Sequence, residues 1–357
     1  MSLAALLAER IRADGPMGVD VFMAEALGHP QYGYYMGRDP FGAGGDFTTA
    51  PEISQMFGEL IGLWGAIVWQ SMGAPARVVL AEIGPGRGTL MADLLRAART
   101  LPAFAAAIEA YLIETSPALR NRQAQTLAQD KVTWLERFED LPEGPLLLVA
   151  NELFDALPIR QYEKRPDGWV ERKIGLDEAG GFVFVAGDVV VSPALAPEVL
   201  AAPIGAVAEI CEPGRALAAA IGQRLATSPG AALIVDYGPP ASGAGDSLQA
   251  VRSHRYHPAL ADPGHVDLTA HVDFQALAEA GAGAGAAAHG PVSQGRWLLR
   301  LGIEERTVML MRNATPDQAA DIAGRARRLI DPGEMGTLFQ VLALASPDLP
   351  TPPGLDA

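Results

Sequence analysis

Short apolar runs alternate with stretches of helical spacing along the middle of the chain. The runs of strand length are residues 78–81, 111–113, 132–134, 146–149 and 231–235. After the first run, apolar side chains recur three and four positions apart from Leu90 to Ala98, the spacing of an amphipathic helix. Continuous apolar strands that alternate with helices are typical of a parallel sheet covered on both faces. The pattern therefore predicts an α/β fold.

The most regular helical pattern precedes the first apolar run. Apolar residues lie three and four positions apart from Met56 to Val68 and form a face that must be buried. Thr49 and Glu52 have the spacing of a capping box, and Gly73 follows the last periodic residue. We expect a long amphipathic helix that begins after Thr49.

A segment of different character interrupts the predicted sheet. Alternating polar and apolar positions flank a Pro-Asp-Gly turn at residues 166–168, which is typical of antiparallel hairpins. The expected organisation is an N-terminal helical or lid segment (1–75), a core (76–158 and 205–345, with a loop and helical insert at about 239–331), an inserted β-rich segment (159–204) and a tail (346–357).

Composition and charge indicate a globular protein and disfavour proteins that bind nucleic acid or span a membrane. The 357 residues are 49% hydrophobic and 19% charged, as in globular proteins. The net charge of −15 disfavours binding to nucleic acid or anionic lipid. Polar residues and glycines interrupt the most apolar stretch, residues 60–76, so we expect no membrane span. The single cysteine, Cys211, favours a reducing compartment, and no signal-peptide pattern begins the chain, so we expect a cytoplasmic protein.

A glycine-rich turn follows the first predicted strand. Residues 82–88 are Glu-Ile-Gly-Pro-Gly-Arg-Gly, and glycines there leave room for a ligand at the carboxyl end of the strand. The spacing excludes two common ligands, because a nicotinamide site needs its third glycine one residue later and a Walker loop needs a lysine before its threonine. The spacing acid-x-G-x-G-x-G is that of S-adenosylmethionine sites. The candidate cofactor-binding residues in this turn are Glu82, Gly84, Pro85, Gly86 and Gly88.

A second acidic residue, Glu114, ends the second predicted strand. A carboxylate at this position of a nucleoside-binding α/β site accepts both ribose hydroxyls, so Glu114 is a candidate cofactor ligand. It could instead, or in addition, cap the helix predicted to begin near Ser116.

The string after the fourth predicted strand, residues 151–158, lies where enzymes of this fold meet the methyl acceptor. It lacks the Asn/Asp-Pro-Pro-Tyr pattern expected for an adenine or glutamine nitrogen. Glu152 or Asp155 could instead hold a planar guanidinium through two hydrogen bonds and take up the proton it loses. With Asn151, they are the candidate catalytic residues. Alternatively, Asp155 caps a short helix and Glu152 is solvated.

Three further residues are candidate substrate contacts. Asp236 ends the fifth predicted strand, His254 lies in a loop-rich stretch, and Thr49 belongs to a segment, residues 44–54, that could close over the site. Four of the six histidines lie in the loop-rich stretch, but their spacing matches no zinc pattern, so we expect no metal.

Several strings, in their order along the chain, are similar to one family. They are residues 45–54, 57–59, 82–88, 151–158, 235–238, 267–274, 294–295 and 301–303. This set, spread over about residues 15–345, resembles the MidA-like methyltransferases. The resemblance implies a Rossmann-like seven-stranded class I S-adenosylmethionine-dependent methyltransferase fold with an N-terminal helical lid and inserted antiparallel hairpins. It also implies S-adenosyl-L-methionine as cofactor, with Asp46 among its ligands.

The family includes the mitochondrial arginine methyltransferase that acts in the assembly of respiratory complex I. The resemblance implies symmetric dimethylation of an arginine in a NuoD-like subunit of NADH:ubiquinone oxidoreductase, in the mitochondrial matrix for the eukaryotic relatives. The N-terminus of this sequence has no mitochondrial targeting pattern, so we expect a bacterial cytoplasmic protein. Two alternatives stay open: a small-molecule methyltransferase with the same cofactor site, and a non-catalytic assembly chaperone that binds S-adenosylmethionine. The sequence leaves open the target arginine, the number of methyl groups, the oligomeric state and whether a partner protein is required.

Overall fold

The computed structural model of the chain is built from short helices and strands, and it describes residues 2–36, 49–190, 194–252 and 255–356. The helices are α1 (Leu3–Asp14), α2 (Val19–Gly28), α3 (Ala50–Ile53), α4 (Gln55–Ser71), α5 (Thr89–Ala98), α6 (Pro102–Ala107), α7 (Pro117–Thr126), α8 (Pro197–Leu200), α9 (Glu212–Thr227), α10 (Phe274–Gly283), α11 (Gln294–Arg300), α12 (Ile303–Met311), α13 (Pro316–Ile330) and α14 (Met335–Leu338). The strands are β1 (Met17–Gly18), β2 (Val78–Ile83), β3 (Ile108–Ile113), β4 (Val132–Leu135), β5 (Leu146–Asn151), β6 (Arg160–Arg165), β7 (Gly168–Leu176), β8 (Phe182–Val190), β9 (Val207–Ile210), β10 (Gly230–Tyr237), β11 (Gln249–Arg252), β12 (Arg255–His257), β13 (Asp267–Thr269), β14 (Ala287–Ser293) and β15 (Phe339–Ala345).

The described residues divide into two compact units. The sheet unit is formed by residues within 49–153, 217–240 and 274–356, and the insert unit by residues within 2–36, 154–216 and 241–273. The predicted N-terminal segment, residues 1–75, is therefore split: α1 and α2 belong to the insert unit, whereas α3 and α4 belong to the sheet unit.

A seven-stranded sheet in the order β14-β15-β10-β5-β2-β3-β4 forms the centre of the sheet unit. The strands from β10 to β4 are parallel to one another, and β15 runs antiparallel to both of its neighbours. These five parallel strands contain the five apolar runs, so the predicted strands and the seven-stranded fold class are confirmed. Every residue of β2 and β5 is buried, which explains their lack of polar alternation.

The helix predicted after Thr49 forms, but its start differs from the prediction. The single turn α3 comes first, and Ser54 then caps α4, its Oγ accepting the N–H of Met56 at 3.2 Å. The capping-box prediction is wrong, because Thr49 makes no side-chain capping bond to α3 and the Glu52 carboxylate bonds elsewhere. At Gly58, α4 and α5 approach so closely that a Cβ would lie 2.6 Å from the Cβ of Asp93.

Antiparallel strands dominate the insert unit. Its larger sheet has the order β1-β7-β6-β9, with β8 also paired to β7, and a smaller sheet has the order β12-β11-β13. The pairs β6–β7 and β7–β8 confirm the predicted hairpins. Helices α1 and α2 bury Leu7, Phe22 and Met23 in the core of this unit. Within the described ranges, no helix is both long enough and apolar enough to cross a membrane.

Candidate active site

The glycine turn has the backbone geometry that its sequence requires. Gly84, Gly86 and Gly88 have φ angles of 65°, 51° and 80°, in the left-handed region that glycine adopts without strain. A Cβ on Gly84 would lie 2.8 Å from Cδ1 of Leu153, in the segment that follows β5. Gly88 is the N-cap of α5. The turn, residues 84–88, is called the glycine loop below.

Glu82 is a buried carboxylate at the end of β2. It is 3% exposed, and its Oε2 has no hydrogen-bond partner within the described part of the chain. Burial raises the pKa of Glu82 to about 8, and a bond from the backbone N–H of Met91 partly opposes that shift. A buried carboxylate with unused acceptor capacity would be stabilised by a cationic group such as an ammonium.

Glu114 follows β3 and lies at the same edge of the sheet as the glycine loop, because Ile83 and Ile113 are paired in the parallel ladder. Its Oε1 accepts the N–H of Ser116 at 2.8 Å, and its Oε2 accepts a bond from Nε2 of Gln123 at 3.1 Å. Burial raises the pKa of Glu114 above its usual range. Ser116 itself caps α7, so Glu114 supports the start of that helix and still has acceptor capacity for hydroxyls.

Asn151 ends β5, and Glu152 follows it directly. Glu152 has a φ of 50°, a strained conformation for a residue with a side chain. Its Oε1 accepts the N–H of Ala50 at 2.9 Å and Nδ2 of Asn151 at 3.2 Å, and its own N–H donates to the Val235 carbonyl at 2.8 Å. The Asn151 Oδ1 atom is buried without a hydrogen-bond partner in the described ranges. Strain that several bonds maintain is characteristic of functional positions.

Asp236 is fully buried at the end of β10. Its Oδ2 accepts the N–H of Leu153 at 3.1 Å, and its Oδ1 accepts the N–H of Tyr237 at 2.9 Å. These bonds give Asp236 a role in holding the backbone next to Glu152. A contact between Asp236 and the acceptor stays a prediction.

The turn α3 is joined to the glycine loop by Glu52, a residue that the sequence reasoning assigned to a capping box. The Glu52 carboxylate accepts bonds from Oγ1 of Thr89, at 2.5 Å, and from Nη1 of Arg87, at 3.5 Å. Ala50 of the same turn donates to Glu152. Thus α3, the glycine loop and the end of β5 meet at one edge of the sheet. Half-buried Thr49 immediately precedes α3.

Asp155 lies in the insert unit, in a 3₁₀ turn formed by residues 154–156. It is 7% exposed, and its carbonyl accepts the N–H of Ala270 at 2.9 Å. The hydroxyl of Tyr35 donates to both carboxylate oxygens of Asp267, at 2.9 and 3.0 Å. Burial and the charges of Asp267 and Asp155 raise the pKa of Tyr35 well above its usual value. Asp155 and Asp267 therefore form a buried acidic group beside Tyr35, which the sequence did not predict.

Two predicted site residues, Asp46 and His254, lie outside the described residues. The sheet unit does bring together Glu82, the glycine loop, Glu114, Asn151 and Glu152 at the carboxyl edge of its parallel strands. These residues fit S-adenosylmethionine chemically: a loop with three glycines, a buried carboxylate for an ammonium and a second carboxylate for a ribose.

Residues 60–292 match a protein family described as "Putative S-adenosyl-L-methionine-dependent methyltransferase". The chain is also similar to proteins named "Protein arginine methyltransferase NDUFAF7, mitochondrial". The Danio rerio protein is 35% identical over 365 residues, covering 95% of this chain and 85% of that protein. The Homo sapiens protein is 34% identical over 371 residues, covering 94% and 81%. The chain therefore belongs to this family of S-adenosylmethionine-dependent methyltransferases.

Solved structures agree with this assignment. A candidate methyl transferase from Burkholderia thailandensis, solved with bound S-adenosyl-homocysteine, is 34% identical, with a TM-score of 0.85 over 99% of this chain and 92% of that chain. A second crystal structure from the same organism, of an uncharacterised protein, is 33% identical, with a TM-score of 0.80 over the same shares of the two chains. The predicted family, fold, enzyme class and cofactor are thus confirmed, and the chain is a methyltransferase that uses S-adenosylmethionine.

Proposed function

We propose that this methyltransferase transfers the methyl group of S-adenosylmethionine to an arginine side chain of a protein. The observation that carries the proposal is the Glu152 carboxylate, which two hydrogen bonds and a left-handed backbone hold at the end of β5. A fixed carboxylate suits a guanidinium, which is planar, always charged and donates in a fork. The names of the curated relatives support the same acceptor.

At the cofactor end, each candidate residue has a role that its surroundings support. The glycine loop leaves space for the methionine part of the cofactor, the buried Glu82 carboxylate stabilises its ammonium, and Glu114 accepts the ribose hydroxyls. When bound, S-adenosylmethionine supplies an already activated methyl group. The protein's task is then to orient the acceptor nitrogen and exclude water.

At the acceptor end, Glu152 and Asn151 orient the guanidinium. The guanidinium is protonated at neutral pH, so its nitrogen must lose a proton when it gains a methyl group, and the Glu152 carboxylate takes that proton. A catalytic role for Asp155 is part of the same proposal, and its place in the buried acidic group with Asp267 supports a role in binding a cation. Roles in substrate binding for Thr49, Asp236 and His254, and in cofactor binding for Asp46, complete the proposal.

The substrate we propose is a NuoD-like subunit of respiratory NADH:ubiquinone oxidoreductase, symmetrically dimethylated to support assembly of complex I. The resemblance to the MidA-like family supports this target. The negative net charge of the chain favours a basic acceptor segment. A cytoplasmic site of action, predicted from the single cysteine, is part of the same proposal.

A comparison of E152Q with the wild type tests the proposed role of Glu152. Methyl transfer from radiolabelled S-adenosylmethionine to the candidate subunit is measured beside calorimetric titration with S-adenosylhomocysteine. The expected result is a loss of transfer by about a hundredfold or more with nearly unchanged cofactor affinity, because Gln keeps the shape but cannot take the proton. The control is E304Q, which removes an exposed carboxylate on α12.

Three results would contradict the proposal. Equal loss of transfer and of cofactor affinity in E152Q would make Glu152 a structural residue. Transfer by the wild type to small molecules but to no protein would favour a small-molecule methyltransferase. Cofactor binding without any transfer would favour the assembly chaperone.

A further inference from the structure

Gln123 on α7 is a completely buried amide between the glycine loop and Glu114. Its Nε2 donates to the carbonyl of Gly86 at 2.8 Å and to Oε2 of Glu114 at 3.1 Å. Its side chain also packs below the loop, since a Cβ on Gly88 would lie 3.5 Å from both Cα and Cγ of Gln123. One side-chain nitrogen thus bonds to the two segments that we assign to the methionine and ribose parts of the cofactor.

The orientation of this amide is fixed by Trp134 on β4. The indole Nε1 of Trp134 donates to Oε1 of Gln123 at 2.9 Å. An indole nitrogen can only donate, so the amide oxygen must face Trp134 and the amide nitrogen must face the glycine loop and Glu114. Both N–H groups of the amide are then used. A flipped amide would place two donors against each other and leave the Gly86 carbonyl without this bond.

We propose that Gln123 is a positioning residue for cofactor binding, which holds the glycine loop and the Glu114 carboxylate in one fixed arrangement. The inference rests on the assignment of these two segments to the cofactor under the proposed function. A buried carboxylate that accepts a hydrogen bond is stabilised in its charged form, so Gln123 also opposes the upward shift that burial causes in the pKa of Glu114. Glu114 is thereby kept able to accept the ribose hydroxyls.

Q123E separates this role from a purely structural one. The substitution keeps the shape and the acceptor for Trp134 but removes both N–H donors and adds a charge beside Glu114. The dissociation constant for S-adenosylhomocysteine should rise about tenfold or more at about pH 8, because a bond to a charged group is lost. At about pH 6 the introduced carboxyl gains a proton and can donate one bond, so the ratio of variant to wild-type dissociation constants should fall.

Two further variants serve as controls for Q123E. Q125E makes the same chemical change at an exposed position of α7 and should leave the affinity unchanged. Q123M keeps the volume without any hydrogen bond, so its affinity should fall at both pH values with no recovery at the lower one. Thermal unfolding of each variant shows whether the protein titrated is folded.

The outcomes separate this inference from the cofactor assignment on which it rests. The positioning role is overturned if folded Q123M binds S-adenosylhomocysteine as tightly as the wild type, or if folded Q123E does so at both pH values. It is also overturned if the ratio of the Q123E to the wild-type dissociation constant does not change with pH. If Q123E fails to fold, Q123M is titrated with 5′-methylthioadenosine, which lacks the amino-acid part. If Q123M loses more affinity for S-adenosylhomocysteine than for 5′-methylthioadenosine, relative to the wild type, the role of Gln123 in holding the glycine loop is supported. Equal losses of affinity for the two ligands contradict that role. Wild-type affinity in a Glu114→Ala variant would instead contradict the ribose assignment.

Discussion

Substituting Glu82 by glutamine should remove a large pH dependence of stability. The Glu82 carboxyl is 3% exposed, and its pKa is raised from 4.5 to about 8. Because the folded state holds this proton more tightly than the unfolded state, the resulting stabilisation is complete below about pH 4.5 and is lost as the pH rises through about 8. At about 1.4 kcal/mol per pKa unit, the shift corresponds to about 3–5 kcal/mol.

The assay is denaturant unfolding of the wild type and E82Q, without cofactor, between about pH 5 and pH 9. The free energy of unfolding of the wild type should fall relative to that of E82Q as the pH rises through this window, by an amount of the order worked out above. Glutamine has almost the same shape and does not titrate, so packing differences should be the same at every pH.

Cofactor binding gives a second measurement on the same pair of proteins. An ammonium beside Glu82 favours the charged carboxylate, so binding of S-adenosylhomocysteine to the wild type near pH 7 should release a proton. Calorimetry in buffers of different ionisation enthalpy measures this release, which should disappear in E82Q. The reasoning about Glu82 would be refuted if the free energies of unfolding of the wild type and E82Q changed with pH in the same way and both proteins released the same number of protons on binding S-adenosylhomocysteine.

Three other variants test the site and its support. Glu114→Ala should weaken S-adenosylhomocysteine binding about tenfold or more in calorimetry, because the carboxylate that accepts the ribose hydroxyls is removed; wild-type affinity would contradict that role. G84A should lower the free energy of unfolding by about 1–2 kcal/mol in denaturant titration, because Gly84 has a φ of 65°; an unchanged value would show that the loop relaxes. G58A should lower the melting temperature by several degrees, since the Cβ would lie 2.6 Å from that of Asp93; a rise would mean that helix propensity outweighs the clash.

Strands and site residues that a few neighbouring positions identify could be predicted from the sequence alone. The parallel strands are buried apolar runs, so β2, β5 and β10 could be recognised before their partners were known. The glycine loop was equally accessible, because its three glycines share one requirement, a left-handed backbone. Glu114 and Glu152 were found because each follows such a strand.

Residues whose partners are distant in the chain were missed. Glu52 has the spacing of a capping box, yet its carboxylate bonds to Thr89, 37 positions away, and only tertiary structure creates that contact. Gln123 carries no signal of its own, because Gly86 and Trp134 meet it only when α7 packs beside the sheet. The left-handed backbone of Glu152 likewise depends on bonds to Ala50 and Val235.

The identity of the methylated residue tests the central claim most directly. The chain is incubated with S-adenosylmethionine and the NuoD-like subunit, and the acceptor is then hydrolysed and its methylated amino acids are identified by mass spectrometry. We predict methylated arginine with the wild type and about a hundredfold less of it, or lower still, with E152Q over the same time. Methyl groups on another residue type, or an unmodified subunit beside a protein that binds S-adenosylhomocysteine, would contradict the account.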